Sequence, residues 1–177
     1  PKSTEKNIKL SVVVDNNIPD NLIGDPTRLN QILINLVGNA VKFTEKGEVK
    51  TTVALLSENE NEIELKISVT DTGIGIPEEK LVTIFEPFTQ ATNDTTRKYG
   101  GSGLGLSIVR QFVERQGGNV AVESSVGKGS TFSFKLKFGK TVNVPIPVST
   151  LLDVFENDCP LVQGLNILLV EDNELNQ

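Results

Sequence analysis

Asn35, Asn39 and Lys42 stand at i, i+4 and i+7, so on a helix they form one stripe of two amides and an ammonium. Such a stripe is either a solvated face or a place for a ligand. Gly38 lies inside it and costs a helix about 1 kcal/mol relative to Ala, which points to a ligand that needs the backbone accessible there. Asp71-Thr72-Gly73-Ile74-Gly75-Ile76-Pro77 puts a carboxylate at the end of a strand beside two glycines that admit a close neighbour. That carboxylate can accept an amino hydrogen from a base; the alternative is a plain turn. Gly100-Gly101-Ser102-Gly103-Leu104-Gly105 opens onto a helix whose first amides and positive dipole end favour phosphate. The segment lacks the third glycine of Gly-x-Gly-x-x-Gly, and Gly139-Lys140-Thr141 has Phe134 where a P-loop needs its first glycine.

These groups need elements to hold them. Ile8 to Val14 reads as a strand. A helix starts at Asp25 as N-cap with Pro26 in its first turn. Its apolar positions Leu29, Ile32, Leu33, Leu36, Ala40 and Phe43 recur to a stop near Gly47, with the polar stripe expected opposite them. Glu48 to Leu56 and Ile63 to Thr70 read as a hairpin about the acidic, Asn-rich turn from Ser57 to Glu62. Pro77 opens a short helix through Phe85. Residues 89–100 hold almost nothing that can be buried, and are expected to form a lid. Leu104, Ile108, Val109, Phe112 and Val113 have helical spacing up to Gly117-Gly118, and Asn119 to Glu123 and Thr131 to Phe138 read as two more strands. The expected fold class is α+β: a two-layer α/β sandwich with a mixed β-sheet, helices packed on one face, and a mobile lid. Residues 1–140 make the domain, 141–163 a linker with an apolar stretch from Leu151 to Phe155, and 164–177 the start of something else.

Composition narrows the chemistry. The chain has 177 residues, 17 basic against 23 acidic, for a net charge of −6, which disfavours a nucleic-acid face or a polybasic membrane anchor. With no histidine, Ser-His and Cys-His nucleophiles and His-ligated zinc are excluded. Cys159 alone forms no internal disulfide and reads as an inert thiol in a reducing compartment. The lack of any methionine is expected of an interior piece of a longer protein, and no signal or spanning segment is visible.

Taken in order, the segments resemble the ATP-binding catalytic domain of sensor histidine kinases, in the superfamily shared with gyrase B, Hsp90 and MutL. Asn30 to Phe43 resembles the N box, Asp71 to Gly75 the G1 box, Phe85-Glu86-Pro87-Phe88 the F box, Gly101 to Leu106 the G2 box, and Gly127 to Phe132 the last glycine motif. Residues 7–138 carry the likeness, which implies the Bergerat-type ATP-binding fold. It also implies that Asp71 bonds the adenine amino group with Thr131 nearby through water, within a wall of Gly73, Gly75 and Ile76. Asn39 would ligate Mg²⁺, and Asn35 and Lys42 would contact or orient the phosphates. Arg97, Lys98 and the stretch Gly101, Ser102, Gly103, Leu104, Gly105 and Leu106 would hold the phosphates from the lid side. Phe43 and Tyr99 would flank the nucleotide. Phe85 and Phe88 would either anchor the lid by core packing or touch the ligand.

The resemblance implies an enzyme that binds Mg-ATP and donates its γ-phosphoryl group to a histidine on a separate dimerisation domain of a homodimeric parent, in two-component signalling. Asn35 stands where hydrolysing relatives carry a glutamate, and an amide is no base. Two rivals remain: a nucleotide-binding regulatory module without transfer, and a clamp-type ATPase. Gly164 to Asn173, with Glu171-Asp172 after an apolar run, resembles the first strand of a response-regulator receiver domain, which implies a hybrid kinase with a receiver as partner. No nucleic acid or membrane contact is implied for this segment, and a cytoplasmic location is, whether or not the parent is membrane-anchored.

Overall fold

The structure, a computed structural model, describes residues 8–89 and 103–141, all within the compact unit Pro1–Val142. In chain order the elements are β1 (Ile8–Val14), β2 (Leu22–Ile23), α1 (Pro26–Phe43), β3 (Gly47–Glu58), β4 (Glu62–Asp71), α2 (Glu78–Leu81), α3 (Gly105–Arg115), β5 (Asn119–Ser125) and β6 (Gly129–Lys140). One mixed sheet runs β1-β3-β4-β6-β2, with β5 on the same side of β6 as β2. Among these strands only the β1–β3 pairing is parallel. The expected α+β class, mixed sheet and helix-bearing face are all present.

Period-2 alternation sorts β4 and β6 into a core face and an open face. Ile63, Leu65, Ile67 and Val69 of β4 are buried with Phe132, Phe134, Leu136 and Phe138 of β6. Ile32, Leu36 and Ala40 of α1, and Val109 and Val113 of α3, complete that core. Each large aliphatic residue so buried contributes about 1.5–3 kcal/mol, enough to fix both helices on one side of the sheet.

Local chemistry sets the ends. Asp25 Oδ1 accepts from Arg28 N at 3.0 Å and starts α1. The helix stops at Phe43, short of Gly47, because Thr44 is already extended and its amide and hydroxyl both return to Ala40 O. Gly47 then opens β3 at φ +116°, where a Cβ would overlap the Thr72 hydroxyl. Asn59 Oδ1 accepts from Asn61 N and Glu62 N, closing the β3–β4 hairpin in a tighter turn than expected. Pro77 does precede a helix, but only Glu78–Leu81 is helical, and the chain continues in turns to Phe88. β6 continues through Gly139 and Lys140, pairing them with Ile23 and Leu22 of β2. β2 had no signal in the sequence. The expected lid centre, the linker from 142 onward and the receiver-like strand lie outside the described residues.

Candidate nucleotide site

Asp71 closes β4, buried, with Ser130 of β6 as its register partner. Gly73 N donates to Asp71 Oδ1 at 2.8 Å. Desolvation raises the carboxyl above its ordinary range, partly offset by the backbone hydrogen bonds from Gly73 and Ser130. The following loop is tied to three elements. Thr72 N donates to Glu48 O and Thr72 Oγ1 accepts from Glu48 N at the start of β3. Ile74 N reaches Phe43 O at the end of α1. Gly127 N donates to Ile74 O, and Ile76 N to Ser124 Oγ at 2.8 Å, across to the β5–β6 turn. The two glycines have a structural reason: a Cβ on Gly73 would stand 2.5 Å from Phe43 O, and one on Gly75, at φ +71°, would overlap Ser125 O. What approaches these glycines closely is the chain's own backbone.

Thr131 is on the other side of the sheet from Asp71. Alternation along β6 buries Ser130 and Phe132 on the core face and turns Thr131 to the open face, where its hydroxyl lies 3.1 Å from Thr70 Oγ1. The hydroxyl beside Asp71 is that of Ser130, one residue earlier, and the expectation for Thr131 is corrected accordingly.

The stripe of Asn35, Asn39 and Lys42 is half-buried and flanks the apolar face of α1 instead of lying opposite it. At 3.6 residues per turn, Asn39 follows Leu36 by less than one turn, so the stripe borders the core. The start of α3 lies against its first two amides. A Cβ on Gly105 would stand 3.0 Å from Asn35 Oδ1 and 3.8 Å from Asn39 Nδ2. Asn35 Nδ2 donates to Gln31 O at 2.9 Å, which aims its oxygen at that junction. Lys42 Nζ sits 4.9 Å from the centre of the half-buried Phe43 ring. A Cβ on Gly38 would meet no described atom within 4 Å beyond its own helix, so packing does not explain this glycine.

No described side chain caps the N-terminus of α3. Gly103, at φ +72°, packs against the backbone of Phe88, with a Cβ position 3.0 Å from Phe88 C. Phe88–Thr89 and Gly103, on either side of the undescribed stretch, therefore meet at the mouth of this helix. Phe85 is half-buried and makes an edge contact with Phe132, ring centres 6.3 Å apart, which is the core-packing role. Phe88 is 75% exposed at φ +62° and does not pack into the core. Leu106 packs against the core, as does the half-buried Ile76. Arg97, Lys98, Tyr99, Gly101 and Ser102 lie outside the described residues.

Two chemistries thus sit at two stations on α1. Its last residue, Phe43, bonds the Asp71 loop, while Asn35 and Asn39 meet the open N-terminus of α3. From residue 35 to residue 43 is about 12 Å of helix, which separates the two stations. The sequence profile of the histidine kinase-, DNA gyrase B- and HSP90-like ATPases matches residues 24–140. The chain belongs to this family. It is 42% identical to the sensor histidine kinase AruS of Pseudomonas aeruginosa over 100% of this chain and 17% of that protein. Against the hybrid signal transduction histidine kinase L of Dictyostelium discoideum it is 51% identical over 76% of this chain and 8% of the other. The crystal structure of full-length ShkA in complex with AMPPNP superposes with a TM-score of 0.68 at 37% identity, covering 80% of this chain and 28% of that one. The chain spans less than a fifth of the length of these two curated relatives.

Among the described residues no cluster of three or more acidic or thiol groups could hold a metal, and no helix is long and apolar enough to cross a membrane. Mg²⁺ usually keeps waters and takes few protein oxygens beside phosphate, so a single amide oxygen such as that of Asn39 is compatible with such an ion. Reading residues alone missed Ser130, Ser124 and Thr72. Strand parity from Phe132 was the available signal for Ser130; the other two act through backbone partners distant in sequence.

Proposed function

We propose that this chain binds Mg-ATP and donates the γ-phosphoryl group to a histidine on a separate dimerisation domain, as the catalytic part of a hybrid sensor histidine kinase. The observation that carries this reading is the meeting of the open N-terminus of α3 with Asn35 and Asn39, one helix span from the buried Asp71. In this reading Asp71 accepts a hydrogen from the adenine amino group, and Ser130 replaces Thr131 beside it. The amides of Gly105, Leu106 and Ser107 take the phosphates, together with Lys42, Ser102 and the lid residues Arg97 and Lys98, while Phe43 and Tyr99 flank the base. Asn39 would hold Mg²⁺, which when bound neutralises phosphate charge.

Asn35 bonds its own helix and is not a base, so water is poorly activated and hydrolysis by the chain alone is slow. The acceptor histidine must come from elsewhere, since the chain has none. Residues 164–177, whose pattern is that of a receiver's first strand, belong in this reading to the partner that next takes the phosphoryl group. Calorimetry with Mg-ATP, followed by γ-labelled ATP with an added histidine-bearing dimerisation domain, tests the proposal. Nucleotide-dependent labelling of that domain is expected; failure to bind ATP, or turnover to free phosphate at ordinary ATPase rates, would overturn it.

A further inference from the structure

We infer that Ser124, which touches neither end of the nucleotide in the reading above, sets the base preference of the site by fixing the polarity of Ser130. This rests on the nucleotide reading. Ser124 Oγ lies 2.8 Å from Ile76 N, 2.9 Å from Gly129 O and 2.9 Å from Ser130 Oγ. A hydroxyl has one hydrogen to give and two lone pairs to receive with. Ile76 N can only donate and Gly129 O can only accept. All three contacts are hydrogen bonds in one arrangement alone: Ser124 gives its hydrogen to Gly129 O and accepts from Ile76 N and from Ser130.

The Ser130 hydrogen is thereby committed to Ser124. Towards Asp71, its register partner on the same buried face, the Ser130 hydroxyl shows lone pairs only. Asp71 in its ionised form also only accepts. Two neighbouring acceptors match the two hydrogens of an exocyclic amino group and repel a carbonyl oxygen at the same place. Ser124 therefore acts as a positioning residue that favours an amino purine over an oxo purine, and its bond to Ile76 N also ties the wall of the site to the β5–β6 turn. Losing the hydroxyl frees the Ser130 hydrogen to turn into the site and meet a carbonyl.

The test compares Mg-ATP with Mg-ITP, which carries oxygen in place of the amino group, on the full chain by calorimetry. Ser124→Thr keeps the hydroxyl and Ser124→Val keeps the same shape without it. Wild type and Ser124→Thr should prefer ATP alike, while Ser124→Val should narrow the ATP-to-ITP affinity ratio about tenfold. Equal weakening of both nucleotides in Ser124→Val, or no change in either, would make Ser124 a loop fastener only and overturn the inference. Should the valine variant fail to fold, Ser130→Ala removes the hydroxyl that Ser124 polarises. It should narrow the same ratio, and an unchanged ratio would overturn the inference equally. Binding of neither nucleotide by wild type would instead refute the nucleotide reading, and with it this step.

Discussion

The N-termini of α1 and α3 are built in opposite ways. At α1, Asp25 accepts from Arg28 N and Pro26 fills the first turn, so the exposed amides are partly satisfied before anything binds. At α3 no described side chain caps the end, the approach runs through Gly103 at positive φ, and Gly105 lets the helix start press against Asn35 and Asn39. A helix that only had to be stable would carry a cap worth about 1 kcal/mol. Among the described residues no such cap is present at α3, and in the proposed reading this helix start, beside the amides on α1, is where the anionic phosphates bind.

Four changes sharpen or break this contrast. Leu104→Asp puts a carboxylate at the mouth of α3, where it should raise the ligand-free stability by about 0.5 kcal/mol through the helix dipole. It should also weaken Mg-ATP about a hundredfold by facing phosphate with a like charge. Calorimetry and thermal melts read both, and unchanged affinity would break the contrast. Gly105→Ala should weaken Mg-ATP about tenfold because its Cβ must push Asn35 Oδ1 aside, although alanine is the better helix former by about 1 kcal/mol. A variant that is more stable and binds as before would show that the close approach serves packing alone. Asp25→Ala, at the sealed helix, should cost about 1 kcal/mol of stability in denaturant melts and leave the affinity of the folded chain untouched.

The smallest effect concerns Asp71, whose burial favours function over stability in the same sense. Its folded carboxyl titrates above the ordinary value, so the folded state holds the proton more tightly than the unfolded one. Stability from this group is therefore full below the unfolded pKa and lost as pH rises through the folded one. Asp71→Asn should gain in melting temperature relative to wild type at neutral pH, and that gain should shrink as pH falls towards 3.8. ATP affinity of wild type should drop over the same interval. A pH-independent difference between the two chains would contradict that sign.

Much of this was legible in the sequence because it rested on short-range chemistry. Asp25-Pro26 announced α1, and alternation announced β3, β4 and β6. The glycine-rich run ending at Gly105 announced where α3 begins. Long-range pairing was not legible. Leu22–Ile23 is two residues long and becomes a strand only because β6 extends to Lys140. The stripe on α1 was expected opposite the core, although Asn39, less than one turn after Leu36, already lies beside the apolar face; that α3 packs against it is a long-range contact. The resemblance points to Thr131, whereas parity from the buried Phe132 and Phe134 puts the even-numbered Ser130 on the face of Asp71. The roles of Gly73 and Gly75 depend on Phe43 O and Ser125 O, atoms from distant parts of the chain.

The central claim is that the open start of α3, and not the capped start of α1, receives phosphate. Amide chemical shifts of the ¹⁵N-labelled chain titrated with Mg-ATP observe both helix ends in one spectrum. The account predicts large, saturating shifts at Gly105, Leu106 and Ser107 and none at Thr27 and Arg28. Saturating shifts that leave residues 105–107 unmoved would place the phosphates elsewhere and contradict it.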